Sequence, residues 1–148
     1  MISLDTNILV YATDKTSAGA QYPIARRIVD AAKDVSIALT EQALIEFINV
    51  AVRKAGLSLT AVTPYLDAFR RDFPLLLPSE GTVTEVINLL AGYNLSVWEA
   101  HLVAVCSMHG CEYLLSEDLQ DGTAYGTVRV LNPFRPSNRP TLNALLTP

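Results

Sequence analysis

Four carboxylates in this chain stand where chemistry could be done: Asp5, Glu46, Glu99 and Asp118. Asp5 closes the apolar start ISLD and is followed by Thr6 and Asn7. Glu46 lies in TEQALIEFINVAVRK and Glu99 in LSVWEAHLVAV. Asp118 lies in CEYLLSEDLQDG, beside Ser116, Glu117 and Asp121. Each has an ordinary structural explanation. Asp, Thr and Asn suit a turn or a helix cap after a strand. Glu46 shares a polar stripe with Gln42, Asn49 and Arg53, opposite an apolar face of Leu44, Ile45, Ile48, Ala51 and Val52. Ser96-x-x-Glu99 matches a capping box, and the acids after Ser116 fit a surface turn. For Glu99, cap and site both remain open, because its helix is apolar almost all round and a buried carboxylate needs hydrogen bonds or a cation.

Together the four acids suggest more. Carboxylates converging in one cleft repel and raise each other's pKa unless a cation is present. A donor set of oxygens alone, with no Cys or His, selects Mg²⁺ or Mn²⁺ over zinc. Such ions activate water and stabilise the leaving oxygen in phosphoryl chemistry. The residues therefore point to a metal-dependent phosphodiesterase.

Short apolar segments at residues 2–5, 36–39, 74–77, 113–115 and 127–131 read as strands. Longer periodic stretches at 21–33, 41–55, 60–72, 79–92 and 97–109 read as helices. That alternation predicts an α/β domain with a central, mostly parallel sheet of four to five strands flanked by helices. Ligands in such sheets collect beyond the carboxyl ends of the strands, where strand order reverses. The acids are placed there, and neither glycine-rich phosphate-binding pattern occurs. One domain over residues 1–134 suffices. Residues 135–148 lie in the stretch from Pro133 onward that carries four of the eight prolines and read as an irregular tail.

A length of 148 residues with half of them apolar allows one domain with a real core. The net charge of −4 argues at first sight against a nucleic-acid partner. Setting aside four site acids from 15 leaves 11 against 11 basic residues, so overall charge decides nothing. Cys106 and Cys111 do not form a disulfide framework. With His101 and His109 they lack zinc-ligand spacing and read as core cysteines and peripheral histidines. No apolar run is long enough for a targeting segment or a membrane span, so a soluble, cytoplasmic protein is expected.

The segments LDTNILVYA, EFINVAVRK, LSVWEAHLVAV and LLSEDLQDG, in this order and spacing, resemble a PIN domain, specifically a VapC-type ribonuclease toxin of a toxin–antitoxin pair. The resemblance spans residues 2 to about 134. It implies a sheet ordered near 3-2-1-4-5 and an acidic pocket for Mg²⁺ or Mn²⁺. Asp5, Glu46 and Asp118 match the family's first, second and fourth acids. Glu99 stands where the family usually has Asp, and it reaches one methylene farther. Thr6, Asn7 and Ser116 match supporting polar residues, with Glu117 and Asp121 beside them. The implied reaction is endonucleolytic cleavage of structured RNA, in tRNA or ribosomal RNA loops, by metal-activated water. Arg26, Arg27, Arg53, Lys54, Arg70 and Arg71 are candidates for phosphate contact. A homodimer and a cognate VapB-like antitoxin are implied as well. The alternative is a degenerate PIN module that binds RNA or a protein partner without catalysis. A receiver domain fits worse: it wants an acidic pair after the first strand and a Lys after the fifth, and no Lys follows Lys54.

Overall fold

The computed structural model describes residues 1–148. Six strands form one sheet: β1 (Ile2–Leu4), β2 (Ile37–Thr40), β3 (Leu75–Leu76), β4 (Tyr113–Leu115), β5 (Ala124–Tyr125) and β6 (Val128–Leu131). Their order is β3-β2-β1-β4-β6-β5. Every neighbouring pair is parallel except β5 with β6, an antiparallel hairpin. The sheet thus has one strand more than the four to five expected. The addition is two-residue β5, too short to carry a readable pattern.

Eight helices flank the sheet: α1 (Thr6–Thr13), α2 (Lys15–Ala18), α3 (Gln21–Asp30), α4 (Glu41–Asn49), α5 (Leu59–Asp72), α6 (Thr82–Gly92), α7 (Val97–Met108) and α8 (Arg139–Leu145). Strand side chains alternate between two apolar layers, as the pleat requires. Ile37, Leu39, Leu115 and Leu131 pack with α1, α3, α4, α5 and α8. Ala38, Leu114 and Val130 pack with α6 and α7. Covered on both faces, β1 and β2 are buried at every residue, which explains their mostly apolar character; the buried Ser3 hydroxyl donates to the Ala38 carbonyl (3.2 Å). α7 carries buried residues on all sides, including Ala100, Val103 and Cys106. No helix is long and apolar enough to cross a membrane.

Three sequence expectations need correction. The stretch 41–55 is not one regular α-helix: after Asn49 it continues as a π-helical turn, Val50–Lys54, in which the Ala55 amide donates to the Val50 carbonyl (3.1 Å). Its buried face is Ala43, Leu44, Phe47 and Ala51, whereas Ile45 is 58% exposed. Residues 135–148 are not irregular either. A 3-10 turn, Pro136–Asn138, leads into α8, whose Leu142 is buried together with Leu146 in the main core. Arg27 on α3 also donates to Asn143 on α8 (2.6 Å).

Candidate active site

β1 and β4 are adjacent and in register, Leu4 against Leu115, so Asp5 and Ser116 leave the sheet side by side. The Asp5 amide donates to the Leu115 carbonyl (3.0 Å), extending the ladder to the acid itself. The Asp5 carboxylate caps α1 by accepting from the Thr6 amide (2.7 Å) and accepts from the Ser116 hydroxyl (2.6 Å). The same serine oxygen accepts from the Asp118 amide (3.2 Å), so one buried hydroxyl fixes both the first acid and the turn that carries the last. Asp118 in turn accepts from the Asn7 amide group (3.2 Å). Glu46 leans in from α4, with one oxygen on the Thr6 hydroxyl (3.0 Å) and the other on Gln42 (2.8 Å). Thr6 thus holds Asp5 and Glu46, Ser116 holds Asp5 and the turn of Asp118, and Asn7 holds Asp118.

Burial pushes the Asp5 carboxyl up to about 6, against the opposing pull of its bonds from Ser116 and Thr6. The nearby charges of Asp118 and Glu46 push it the same way as burial. Asn7 Oδ1 is buried with no hydrogen-bond partner. No three acidic, imidazole or thiol groups already stand close enough to close round one ion. The donor chemistry nevertheless fits a hard divalent cation. It offers carboxylate oxygens, a spare carboxamide oxygen, and an acid whose charge is costly without a counter-ion.

Glu99 makes the cap that its sequence allowed and also borders the space between the other acids. Its carboxylate accepts from the Ser96 amide (2.7 Å) while the Ser96 hydroxyl accepts from the Glu99 amide (3.2 Å), a complete capping box at the start of α7. It also lines a cavity of about 200 Å³ together with Asp5, Glu46 and Asp118. The four acids therefore share one space, with Glu99 drawn back toward its cap.

A second cavity, of about 360 Å³, lies across Asp5, Glu46 and Asp118 from the first. Glu117 faces it and accepts a short hydrogen bond from the Tyr11 hydroxyl. That bond, with burial and the acids nearby, pushes the Tyr11 phenol up to about 12. Lys54 also lines this cavity, carried there by the π-helical turn. Of the other candidate phosphate contacts, Arg26 pairs with Asp30, Arg71 with Asp72, and Arg27 bonds to Asn143. Lys54 is thus the one candidate phosphate contact that lines this cavity, whereas Tyr11, Gln42 and Trp98 are pocket residues that the sequence did not single out. Tyr11 had a signal, since it stands four residues after Asn7 and so on the same helix face.

Asp121 is the site residue the structure takes out of the pocket. It lines neither cavity. It accepts instead from the Asn132 amide and the Asn138 side chain (2.8 Å each) and lies 3.7 Å from Arg135. It fastens the acidic turn to the C-terminal segment. His101 bonds to Gln42 (2.5 Å), His109 to the Leu77 carbonyl (2.9 Å), and both cysteines are buried.

No curated protein matches this chain. Solved structures do. A toxin–antitoxin complex from Klebsiella pneumoniae superposes with a TM-score of 0.63 at 19% identity, covering 90% of this chain and 98% of that one. VapC20 of Mycobacterium tuberculosis, described as a toxin that cleaves the sarcin–ricin loop, gives 0.62 at 17% identity over 87% of this chain and 99% of its own. VapBC2 from Rickettsia felis, solved bound to a DNA fragment of its promoter, gives 0.62 at 18% identity over 88% and 97%. At such identities the likeness is one of fold. The family is set by the sequence itself: the PIN domain model matches residues 2–120, most of the chain. This chain belongs to the PIN domain family.

Proposed function

We propose that the protein is a divalent-metal-dependent endoribonuclease, the toxin of a type II toxin–antitoxin pair. The observation that carries this reading is the convergence of Asp5 and Asp118, beyond the ends of adjacent strands, with Glu46 from α4, and with Asp5 held in a state that calls for a counter-charge. PIN domains are typically nucleases, and the solved relatives include toxins in complex with their partners.

Asp5, Glu46, Asp118 and Glu99 would hold Mg²⁺ or Mn²⁺. When bound, the cation supplies charge that makes water nucleophilic at neutral pH and offsets the charge developing on the phosphodiester. The chain's own residues do the positioning. Ser116 and Thr6 keep the Asp5 carboxylate aimed out of the strand end, and Asn7 and Thr6 hold Asp118 and Glu46 across from it. Lys54, on the rim of the larger cavity, offers a charge to a neighbouring phosphate. The substrate is structured RNA cut in exposed tRNA or ribosomal RNA loops. The protein acts in the cytoplasm as a homodimer and is silenced by a VapB-like antitoxin.

Purified protein freed of antitoxin is expected to cut total RNA with Mg²⁺ or Mn²⁺ and to stop when EDTA is added. Asp118→Ala, at an exposed position, should lower cleavage by at least about 100-fold without altering the melting temperature. Equal cutting by both proteins would reveal a contaminating nuclease and remove the assignment. Absence of cutting by folded protein would favour a second reading, a PIN module that binds without catalysis. That reading draws on the engagement of Glu99 with its cap.

Glu99→Gln separates the two duties of that residue. Glutamine preserves a capping box, so stability should stay within about 0.5 kcal/mol, while Glu99→Ala should lose about 1 kcal/mol of cap. Cleavage by Glu99→Gln should nevertheless fall at least about 10-fold, because the charge is gone. Unchanged cleavage in this variant would restrict Glu99 to capping.

A further inference from the structure

Trp98 is the only tryptophan in the chain and is 70% exposed. Tryptophan is enriched at contact surfaces, where its apolar body meets a partner and its N–H stays wet. This one stands on the first turn of α7, one residue before Glu99, and lines the cavity that holds the four acids. On its other side it borders an open depression of about 670 Å³. Its backbone is anchored, because Gln42 donates both to the Trp98 carbonyl (3.1 Å) and to Glu46 (2.8 Å). The backbone that carries the indole is therefore held at a fixed offset from the acids.

The chemistry of the depression decides what fits against it. Its lining joins Trp98, Ile45 and Pro78 to polar groups such as Asn49 and His101, and most of the surface it exposes is apolar. A flat, neutral heteroaromatic ring suits that mixture. Its face can lie on the indole while its edge groups meet the Asn49 carboxamide at the rim. Gln42 is already engaged with Glu46, the Trp98 carbonyl and His101.

Resting on the nuclease reading above, we infer that Trp98 is a stacking platform for an unpaired nucleobase next to the scissile phosphate. A base inside a duplex is already stacked on both faces and has none to offer. Trp98 thus selects RNA that is single-stranded at the cut.

The single indole makes the test direct. In the Asp118→Ala protein, titration with a short unstructured oligoribonucleotide should quench tryptophan fluorescence saturably. The same strand annealed to its complement should bind at least about 10-fold more weakly. In the cutting protein, Trp98→Ala and Trp98→Leu should raise KM for the unstructured strand about 10-fold with little change in kcat, and Trp98→Phe should restore it. Rescue by Leu as good as by Phe would mean apolar contact and would overturn stacking. So would equal binding of single strand and duplex. Fluorescence that follows protein concentration without RNA would assign Trp98 to a contact between copies and also overturn the inference. Wild-type kinetics in Trp98→Ala would remove it while leaving the nuclease reading intact. Failure of every protein, wild type included, to bind or cut RNA would remove the nuclease reading and this inference with it.

Discussion

Asp5→Asn should abolish RNA cleavage, by 10²–10⁴-fold at about the scale of losing a central catalytic group, and should make the metal-free protein harder to unfold at neutral pH. The second effect follows from burial. Asp5 is 8% exposed and its carboxyl moves from the ordinary 3.8 up to about 6. The folded state therefore holds this proton more tightly than the unfolded state does. Its contribution to stability is full below pH 3.8, declines as pH rises, and is lost above pH 6. The displacement corresponds to about 3 kcal/mol. Asparagine has no such titration, and the Ser116 hydroxyl can turn to accept from its amide where it donated to the carboxylate. Urea unfolding in EDTA at pH 4 and pH 7.5 measures the difference. The gap between wild type and variant should widen by about 2 kcal/mol across that interval, since the unfolded carboxyl is already partly ionised at pH 4. Mn²⁺ should then close it at pH 7.5 by stabilising only the wild type. A gap independent of pH would show that Asp5 titrates normally and would remove the electrostatic case for a cation.

Leu142→Ala should cost about 2–5 kcal/mol, as truncation of a fully enclosed leucine does. Leu142 is 3% exposed and packs, with Leu146, into the same apolar layer as Leu4, Ile28 and Phe69. The measurement is the urea midpoint at unchanged slope. A cost below about 0.5 kcal/mol, the range of surface substitutions, would mean that α8 is not docked.

That helix is also the clearest case of what the sequence conceals. Its proline content reads as coil, yet Pro136 stands at the first or second position of the 3-10 turn and Pro140 at that of α8. There a missing N–H costs nothing. Helix α1 was missed for a different reason: TNILVYAT is apolar along most of its length and has no polar face to mark a period. The pocket itself was more legible. Asp5, Ser116 and Asp118 follow from asking which residues end parallel strands, and Thr6 and Asn7 from their adjacency to Asp5. Asp121 misleads because it has the chemistry of its neighbours, while the groups that claim it, at Asn132, Arg135 and Asn138, lie 11 to 17 residues farther on. Ile45 and Trp98 show the limit of periodicity. Their residue types predict interior positions, and only the packed molecule shows that both face outward beside the acids.

The pairing of β1 with β4 also sets a schedule. The hydroxyl that holds Asp5 belongs to a residue 111 positions later in the chain, and Asn7 reaches its acid across the same separation. During synthesis, the first three-quarters of the polypeptide can leave the ribosome without owning a cleft. Contacts this distant in sequence form late, after the loop between them has been closed. A growing chain that carries Asp5, Glu46 and Glu99 but not yet residues 113–118 has three of the four acids and no place in which to use them. On the nuclease reading proposed above, the ribosome nearly completes the chain before it can be exposed to its activity.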